Sequence, residues 1–317
     1  MTLTFRQTPE TFRVDEELFF EPSGSGEHLF VQIEKTGIST AQAKAILEAQ
    51  TGLSVASMKH AGLKDKQATC TQWISLPTHH SLEIDHPNLR ILRQSFHEHS
   101  IGLGHVRWNH FHLKLNGEWT APGTSDRQVF PNFFGAQRFG CWAPVDLPTW
   151  VRRSRGDVFS RVQSYLFNEY LRFRIASHGR KPIPGDIFGF PQSKKTFVSN
   201  HADDMLRCEQ GEIIPTGPIF GAKMPVPDHQ LEVDFLADQH LTWKDLKKPG
   251  KRGKGARRLL WVEAVNFRYE ASAQELVFSL RSGSYATVLL LHLFMPTILT
   301  CPFWEWPDFT DGVVLRE

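Results

Sequence analysis

The chain has 317 residues, 40% of them hydrophobic, 22% charged and 12% aromatic, a soluble globular composition long enough for one large or two moderate domains. Net charge is only +2, so no global field marks a polyanionic partner, and any basic surface must come from local clustering. Cys70, Cys141, Cys208 and Cys301 lie far apart with no Cys-x-x-Cys pair, which argues against a zinc ribbon or a disulfide framework and fits a reducing compartment.

The N-terminal Met-Thr-Leu-Thr-Phe-Arg lacks the apolar core of a signal peptide. Thr11 to Leu18 alternates as a strand, Pro22 to Glu27 forms a Gly/Ser turn, and His28 to Lys35 is a second strand broken by Thr36-Gly37. Ser39 or Thr40 then caps a helix with Ala43, Ile46 and Leu47 on one face, ending near Gly52. Residues His60 to Gln67 form a turn that leads into a strand over Thr69–Leu76, which is rich in β-branched and aromatic residues and closed by Pro77. Leu89 to Gln94 and His110 to Leu115 are further strands joined by a histidine-rich connection. His97 with His99, and His110 with His112, each share a strand face. No carboxylate or thiol at ligand spacing completes a metal set, so these histidines are a polar strand face, one that RNA could meet.

Asn116 to Phe130 is a Gly/Pro/Ser/Thr-rich loop that leads into Pro131-Asn-Phe-Phe-Gly-Ala-Gln-Arg-Phe-Gly140, a tight turn carrying three Phe, one Asn and one Arg. Such rings pin a turn to a core, and apolar rings beside an Asn and an Arg also suit a pocket for a splayed-out base. From about Trp150 the character changes. Asp157 to Ser177 is a long amphipathic helix with Val158, Val162, Tyr165, Leu166 and Phe173 on its apolar face and arginines outside. Gly179 to Asp228 is rich in Gly, Pro and charge, as expected of a loop-rich module. In Lys247 to Arg258, seven of twelve residues are Lys or Arg and three are Gly, which fits either a mobile solvated loop or one that follows a phosphate backbone. Leu259 to Tyr269 and Glu275 to Leu280 are strands of a hairpin turning at Glu270 to Gln274. Arg281-Ser-Gly-Ser-Tyr-Ala-Thr287 opens an apolar helix through Leu293, whose first turn offers N–H groups to an anion. Val288 to Met295 is the longest apolar run, far short of the ~20 residues of a bilayer span. Cys301 to Pro307 packs on the core.

Three blocks carry the chemistry. Ala61-Gly62-Leu63-Lys64-Asp65-Lys66-Gln67-Ala68, with Gln72-Trp73, sets one carboxylate between two ammonium groups on a turn entering a strand, where a rigid scaffold can present it to substrate. This block, together with the turn at 131–140 and the Gly-Ser-Tyr-Ala-Thr turn at 283–287, resembles the TruD family of tRNA pseudouridine synthases. The three lie in the family's order along the whole chain, with weaker similarity over Phe5 to Lys35. Two departures stand out. The connection between His112 and Pro131 is short, and Arg6 stands where relatives often carry a lysine, which is not an equivalent group at a close contact.

The resemblance implies an α+β fold. Its core is a pseudouridine synthase domain at 1–150 and 261–317, built on a mixed, largely antiparallel sheet flanked by helices, with an inserted TruD-specific α/β domain at 151–260. It implies isomerisation of a uridine of tRNA to pseudouridine, at position 13 in the D-arm, with Asp65 as nucleophile or base on a flipped-out base. Phe134 would stack on that base, Asn132 would hydrogen-bond near the base or Asp65, and Tyr285 would line the pocket. Lys64, Lys66 or Arg138 would supply a cation beside Asp65, Arg6 would be a further substrate contact, and Lys251, Arg252 and Lys254 would follow the RNA backbone. The rearrangement is internal, so no cofactor and no metal are expected, and the expected partner is tRNA, bound by a cytoplasmic monomer without membrane contact. Two other classes remain: a non-catalytic RNA-binding protein of the same fold, and a glycosidic hydrolase with paired carboxylates, for which no second acid stands out near Asp65.

Overall fold

The computed structural model describes residues 3–117, 119, 125–140, 146–193, 195–199 and 201–315; Cys141 and part of the 112–131 connection lie outside them. The chain divides into two compact units. The first is Met1–Gln128, Ala264–Ala286 and Pro307–Glu317; the second is Val129–Glu263 and Thr287–Trp306. The second unit therefore takes in residues 151–260 and adds to them 129–150, 261–263 and 287–306.

In chain order the elements begin with β1 (Leu3–Phe5), β2 (Phe12–Leu18), β3 (His28–Thr36), α1 (Thr40–Thr51), β4 (Lys59–His60), β5 (Thr69–Leu76), β6 (Leu89–His97) and β7 (Val106–Lys114). Next come β8 (Arg127–Pro131), α2 (Leu147–Arg153), α3 (Gly156–His178), β9 (Ile187–Gly189), β10 (Thr196–Val198), α4 (Ala202–Glu209) and β11 (Ile214–Ile219). The chain closes with α5 (Leu231–Asp238), β12 (Ala256–Leu259), β13 (Trp261–Glu270), β14 (Glu275–Arg281), α6 (Ala286–Phe294) and β15 (Val313–Leu315).

The first unit is built on a mixed sheet in the order β6-β3-β5-β2-β7-β14, continued by the Ala264–Glu270 part of β13, with β4 beside β5. Among the described residues β2 and β5 run parallel, β2–β7, β3–β5, β3–β6, β7–β14 and β13–β14 run antiparallel, and β1 pairs β15 separately. Residues on alternate positions pack both faces. On one, Ala43 and Leu47 of α1 meet Leu29, Val31, Ile33, Ile74, Leu76 and Leu89. On the other lie Leu18, Phe30, Ala61, Trp73, Ile101 and Val106. Each such aliphatic side chain contributes about 1.5–3 kcal/mol by leaving water. Helix α1 starts at Ser39, whose hydroxyl accepts from the Gln42 N–H while the Gln42 side chain accepts from the Ser39 N–H, and it ends at Gly52 with φ 72°.

The second unit carries an antiparallel sheet in the order β10-β9-β11-β12. Helix α3 lies on it through Phe167 and Tyr170, so close to Gly217 that a Cβ there would meet Phe167 at 3.0 Å and Tyr170 at 3.1 Å. Three residues depart from the reading of the sequence. Val158 is exposed. Arg174, expected on the solvent side of α3, is buried and pairs with Asp186 at 2.8 Å, because the loop after α3 folds back over that side. His99 falls beyond the end of β6, so it shares no strand face with His97. His110 instead lies 2.9 Å from Glu17 and 2.8 Å from Ser279, and His112 lies 3.4 Å from Glu275. Among the described residues, no helix is long and apolar enough to cross a membrane.

Candidate active site

The Asp65 turn is braced by buried polar side chains from three neighbouring elements. Antiparallel pairing sets Lys35 of β3 opposite Cys70 of β5. The two-residue period of β3 puts Lys35 in phase with Leu29, Val31 and Ile33, and it is wholly buried. Its ammonium donates to the Ile38 carbonyl at 2.7 Å and to the Asp65 carbonyl at 2.6 Å. Gln72, also wholly buried, donates from Nε2 to the Gly62 carbonyl at 2.6 Å and accepts at Oε1 from the Thr40 hydroxyl at 3.0 Å. The same hydroxyl accepts from the Lys64 N–H at 3.1 Å. His60 Nδ1 lies 2.8 Å from the Gly62 carbonyl, and a ring nitrogen facing a carbonyl is the protonated one.

Main-chain groups of Gly62, Lys64 and Asp65 are thus fixed, while among the described residues no hydrogen bond or ion pair engages the Asp65 carboxylate. Asp65 remains exposed to solvent. Burial by the surrounding protein nevertheless pushes its carboxyl above the ordinary range, against the pull of Lys35 and then of Lys64. Lys64 forms a buried ion pair with Glu16, whose other oxygen accepts from the Trp73 N–H at 3.1 Å. Burial pushes the Cys70 thiol up to about 11, so it stays protonated at neutral pH. Lys66 is exposed. Arg6 is exposed too, and its Nε donates to the Thr310 carbonyl at 2.9 Å. Tyr285 is half-buried, one residue before α6.

In the second unit, Asn132 is buried at the end of β8. Its Nδ2 donates to the Leu259 carbonyl at 2.9 Å, and its Oδ1 accepts from Arg258 at 2.6 Å. The half-buried Phe134 meets Phe167 edge-on, with centroids 5.6 Å apart, and the Arg258 guanidinium lies 4.1 Å from its ring centroid. Asn168 of α3 holds both main-chain groups of Phe134, at 2.8 and 2.9 Å. Arg138 donates to the hydroxyls of Ser164 at 3.1 Å and Ser160 at 2.6 Å, which ties its turn to α3.

The basic run is ordered by its backbone. Lys251–Lys254 is a single 3-10 turn. Gln163 of α3 donates to the Arg252 carbonyl at 2.9 Å, and the carbonyls of Gly253 and Lys254 accept from Ala222 and Lys223, both at 2.8 Å. A Cβ on Gly253 would sit 1.9 Å from the Lys248 carbonyl, so the turn requires glycine there. Lys251, Arg252 and Lys254 are exposed, and Arg252 pairs with Asp157. Arg257 faces inward, in a buried pair with Glu232 at 2.6 Å.

Lys35, Glu16 and Arg258 are not among the residues that the sequence motifs single out. The first two had a signal, since each is a charge in the inward phase of an otherwise apolar strand, with Glu16 between Val14 and Leu18. Arg258 was hidden among the other cations of its run.

A family model described as tRNA pseudouridine synthase D (TruD) matches residues 1–146 and 159–293. A tRNA pseudouridine synthase D of Anaeromyxobacter sp. is 32% identical over 92% of this chain and 92% of its own. That of Methylococcus capsulatus is 33% identical over 96% of this chain and 92% of its own. A crystal structure from Methanosarcina mazei, itself assigned provisionally to TruD, shares the fold with a TM-score of 0.67 at 20% identity, covering 92% of this chain and 93% of that one.

Proposed function

Because the chain belongs to the tRNA pseudouridine synthase D (TruD) family, we propose that it isomerises a uridine of tRNA to pseudouridine, at position 13 of the D-arm by resemblance, with Asp65 as the nucleophile or base. Members of this family are isomerases. The reaction breaks the N1–C1′ glycosidic bond and forms C5–C1′; the C5 proton is lost to solvent and N1 gains one. No atom is supplied by a donor and no electron leaves the nucleoside. The uracil must leave the stack before C5 can reach the sugar, so the base is flipped.

The observation that carries this reading is the Asp65 turn itself. Its main chain is tied down by Lys35, Gln72 and Thr40, yet among the described residues its carboxylate is uncommitted, on a residue that remains open to solvent. A carboxylate that served only to hold the turn would be engaged in it. A rigid mount with an uncommitted reactive group suits a side chain that must meet substrate in one geometry.

Phe134 takes the stacking role, and the Arg258 guanidinium over it is a second planar group of the kind on which bases stack. Asn132 fixes Arg258 and Leu259 and so the strand end that leads to Phe134; Tyr285, Lys64, Lys66, Arg6 and Arg138 stand as substrate-site residues by resemblance. Lys251, Arg252 and Lys254 take phosphates, since an exposed pair such as Arg252–Asp157 contributes only ~0–1 kcal/mol and a phosphate can replace it. The enzyme acts as a cytoplasmic monomer, with residues 151–260 as the inserted domain. Mapping pseudouridine in RNA from cells with and without the gene tests the reading. Loss of one tRNA pseudouridine, at position 13, is the expected result. An unchanged map with tRNA still bound would mark a binding protein instead.

A further inference from the structure

We propose that the buried Lys35 is the positioning residue and the counter-charge for the Asp65 carboxylate. The inference rests on the assignment of Asp65 to chemistry. It starts from a cost: an ammonium with no solvent exposure is expensive, and a methionine would fill the same inward-facing strand position without that cost. Among the described residues Lys35 forms no salt bridge to a carboxylate. Its two hydrogen bonds go to main-chain carbonyls, and one of these, at 2.6 Å, belongs to Asp65 itself. The other, to Ile38 at 2.7 Å, fixes the direction from which the ammonium arrives.

The groups around Asp65 narrow the choice of counter-charge. Lys64, in the same turn, is already neutralised by Glu16 of β2 in a buried pair. Cys70 of β5 is a protonated thiol at neutral pH, and His60 of β4 is held near neutrality by burial. Asp15 of β2 is paired with Arg13 at 2.8 Å. Lys66, the other cation of the turn, is exposed, so among the described residues Lys35 is the buried cation beside Asp65 without a carboxylate of its own, and of the two cations that pull the Asp65 carboxyl downward it acts more strongly. Burial holds the Lys35 ammonium below the usual lysine range, and Asp65 is among the groups that pull it back up, so one side chain grips the Asp65 main chain while the two buried charges offset each other. Removing it displaces the carboxylate and raises its proton affinity together, whereas a purely structural brace does only the first.

The test compares Lys35→Met and Lys35→Gln with the parent and with Asp65→Asn, using tritium release from tRNA labelled at uridine C5. Folding is checked by circular dichroism. In Lys35→Met, kcat should fall about a hundredfold, the loss expected of an ångström-scale misplacement, with KM for tRNA unchanged. The acid limb of kcat should move to higher pH by about one unit, because removal of a nearby cation favours the protonated carboxyl. Lys35→Gln can still donate to a carbonyl, so it should recover part of kcat while keeping the displaced limb. A lowered kcat with an unmoved limb, or a full kcat in either variant, overturns the proposal. If neither variant folds, Lys35 belongs to the core alone and the proposal is withdrawn. Activity retained by Asp65→Asn would remove the premise, an outcome read independently of the Lys35 variants.

Discussion

Two short turns carry the charges that the proposed function sets against RNA, and they are built alike. The turn at Gly62–Asp65 and the turn at Lys251–Lys254 both have main chains pinned by buried amides: Gln72 in the first, Gln163 in the second. Around Asp65 the supporting charges, Lys35, Lys64 and Glu16, are themselves buried, so each feels its neighbours strongly. Around Lys251 the cations stand in water, where screening acts within about 10 Å at 0.1 M salt. On the proposed roles, a pinned backbone alone does not distinguish chemistry from adhesion. The desolvation of the surrounding charges does: buried charges tune one group, and exposed charges sum over many phosphates.

The comparison breaks most visibly if buried charges can be removed cheaply. Lys64→Met strands the Glu16 carboxylate, whose side chain has no solvent exposure, and should cost about 3–5 kcal/mol of stability in denaturant unfolding. A loss below ~1 kcal/mol, the range of exposed pairs, would erase the distinction between the two turns. Phe134→Ala should lower turnover through the loss of ~1–3 kcal/mol of base stacking while the melting temperature stays near the parent's; a collapse of the fold would return Phe134 to a packing role against Phe167. Replacing Lys251, Arg252 and Lys254 together with alanine should flatten the plot of log affinity against log salt by about two units, at ~0.7 per phosphate, with turnover at saturating tRNA unchanged. Equal slopes would leave the basic turn without a phosphate contact.

The smallest effect concerns stability and pH. The Asp65 carboxyl is raised in the folded protein, by burial first. Its protonated form is therefore favoured by folding, a contribution present at low pH and lost as pH rises through the folded-state value. Asp65→Asn, which carries no charge at any pH, should melt slightly higher than the parent at neutral pH, and the difference should close on acidification. A variant that melts lower at neutral pH would contradict the direction of the shift.

Much of this was legible in the sequence. The Thr69–Leu76 strand, the capped helix after Ser39 and the long α3 follow from β-branching, capping and a 3.6-residue period, all local signals. Elements of two or three residues, such as β4 and β1, are too short to carry a period and form because a partner strand is present. The Asp65 turn was legible as a motif, but its supports were not. Lys35 and Glu16 read as strand charges, and the sequence does not say that their phase turns them inward onto the turn. The basic run read as a uniform stretch. Its seven cations separate only in the fold, with Lys251 and Lys254 exposed, Arg257 on Glu232 and Arg258 over Phe134. Hydrophobic pattern sets where elements lie, whereas the partner of a given charge depends on long-range packing.

The most direct measurement is tritium release from C5-labelled uridine in tRNA by Asp65→Asn against the parent, with tRNA affinity measured on the same preparations. The amide keeps the shape of the side chain and removes its charge and basicity, so release should fall by about a thousandfold or more while affinity is unchanged. Release within about tenfold of the parent, at equal affinity, would contradict the assignment of the chemistry to Asp65.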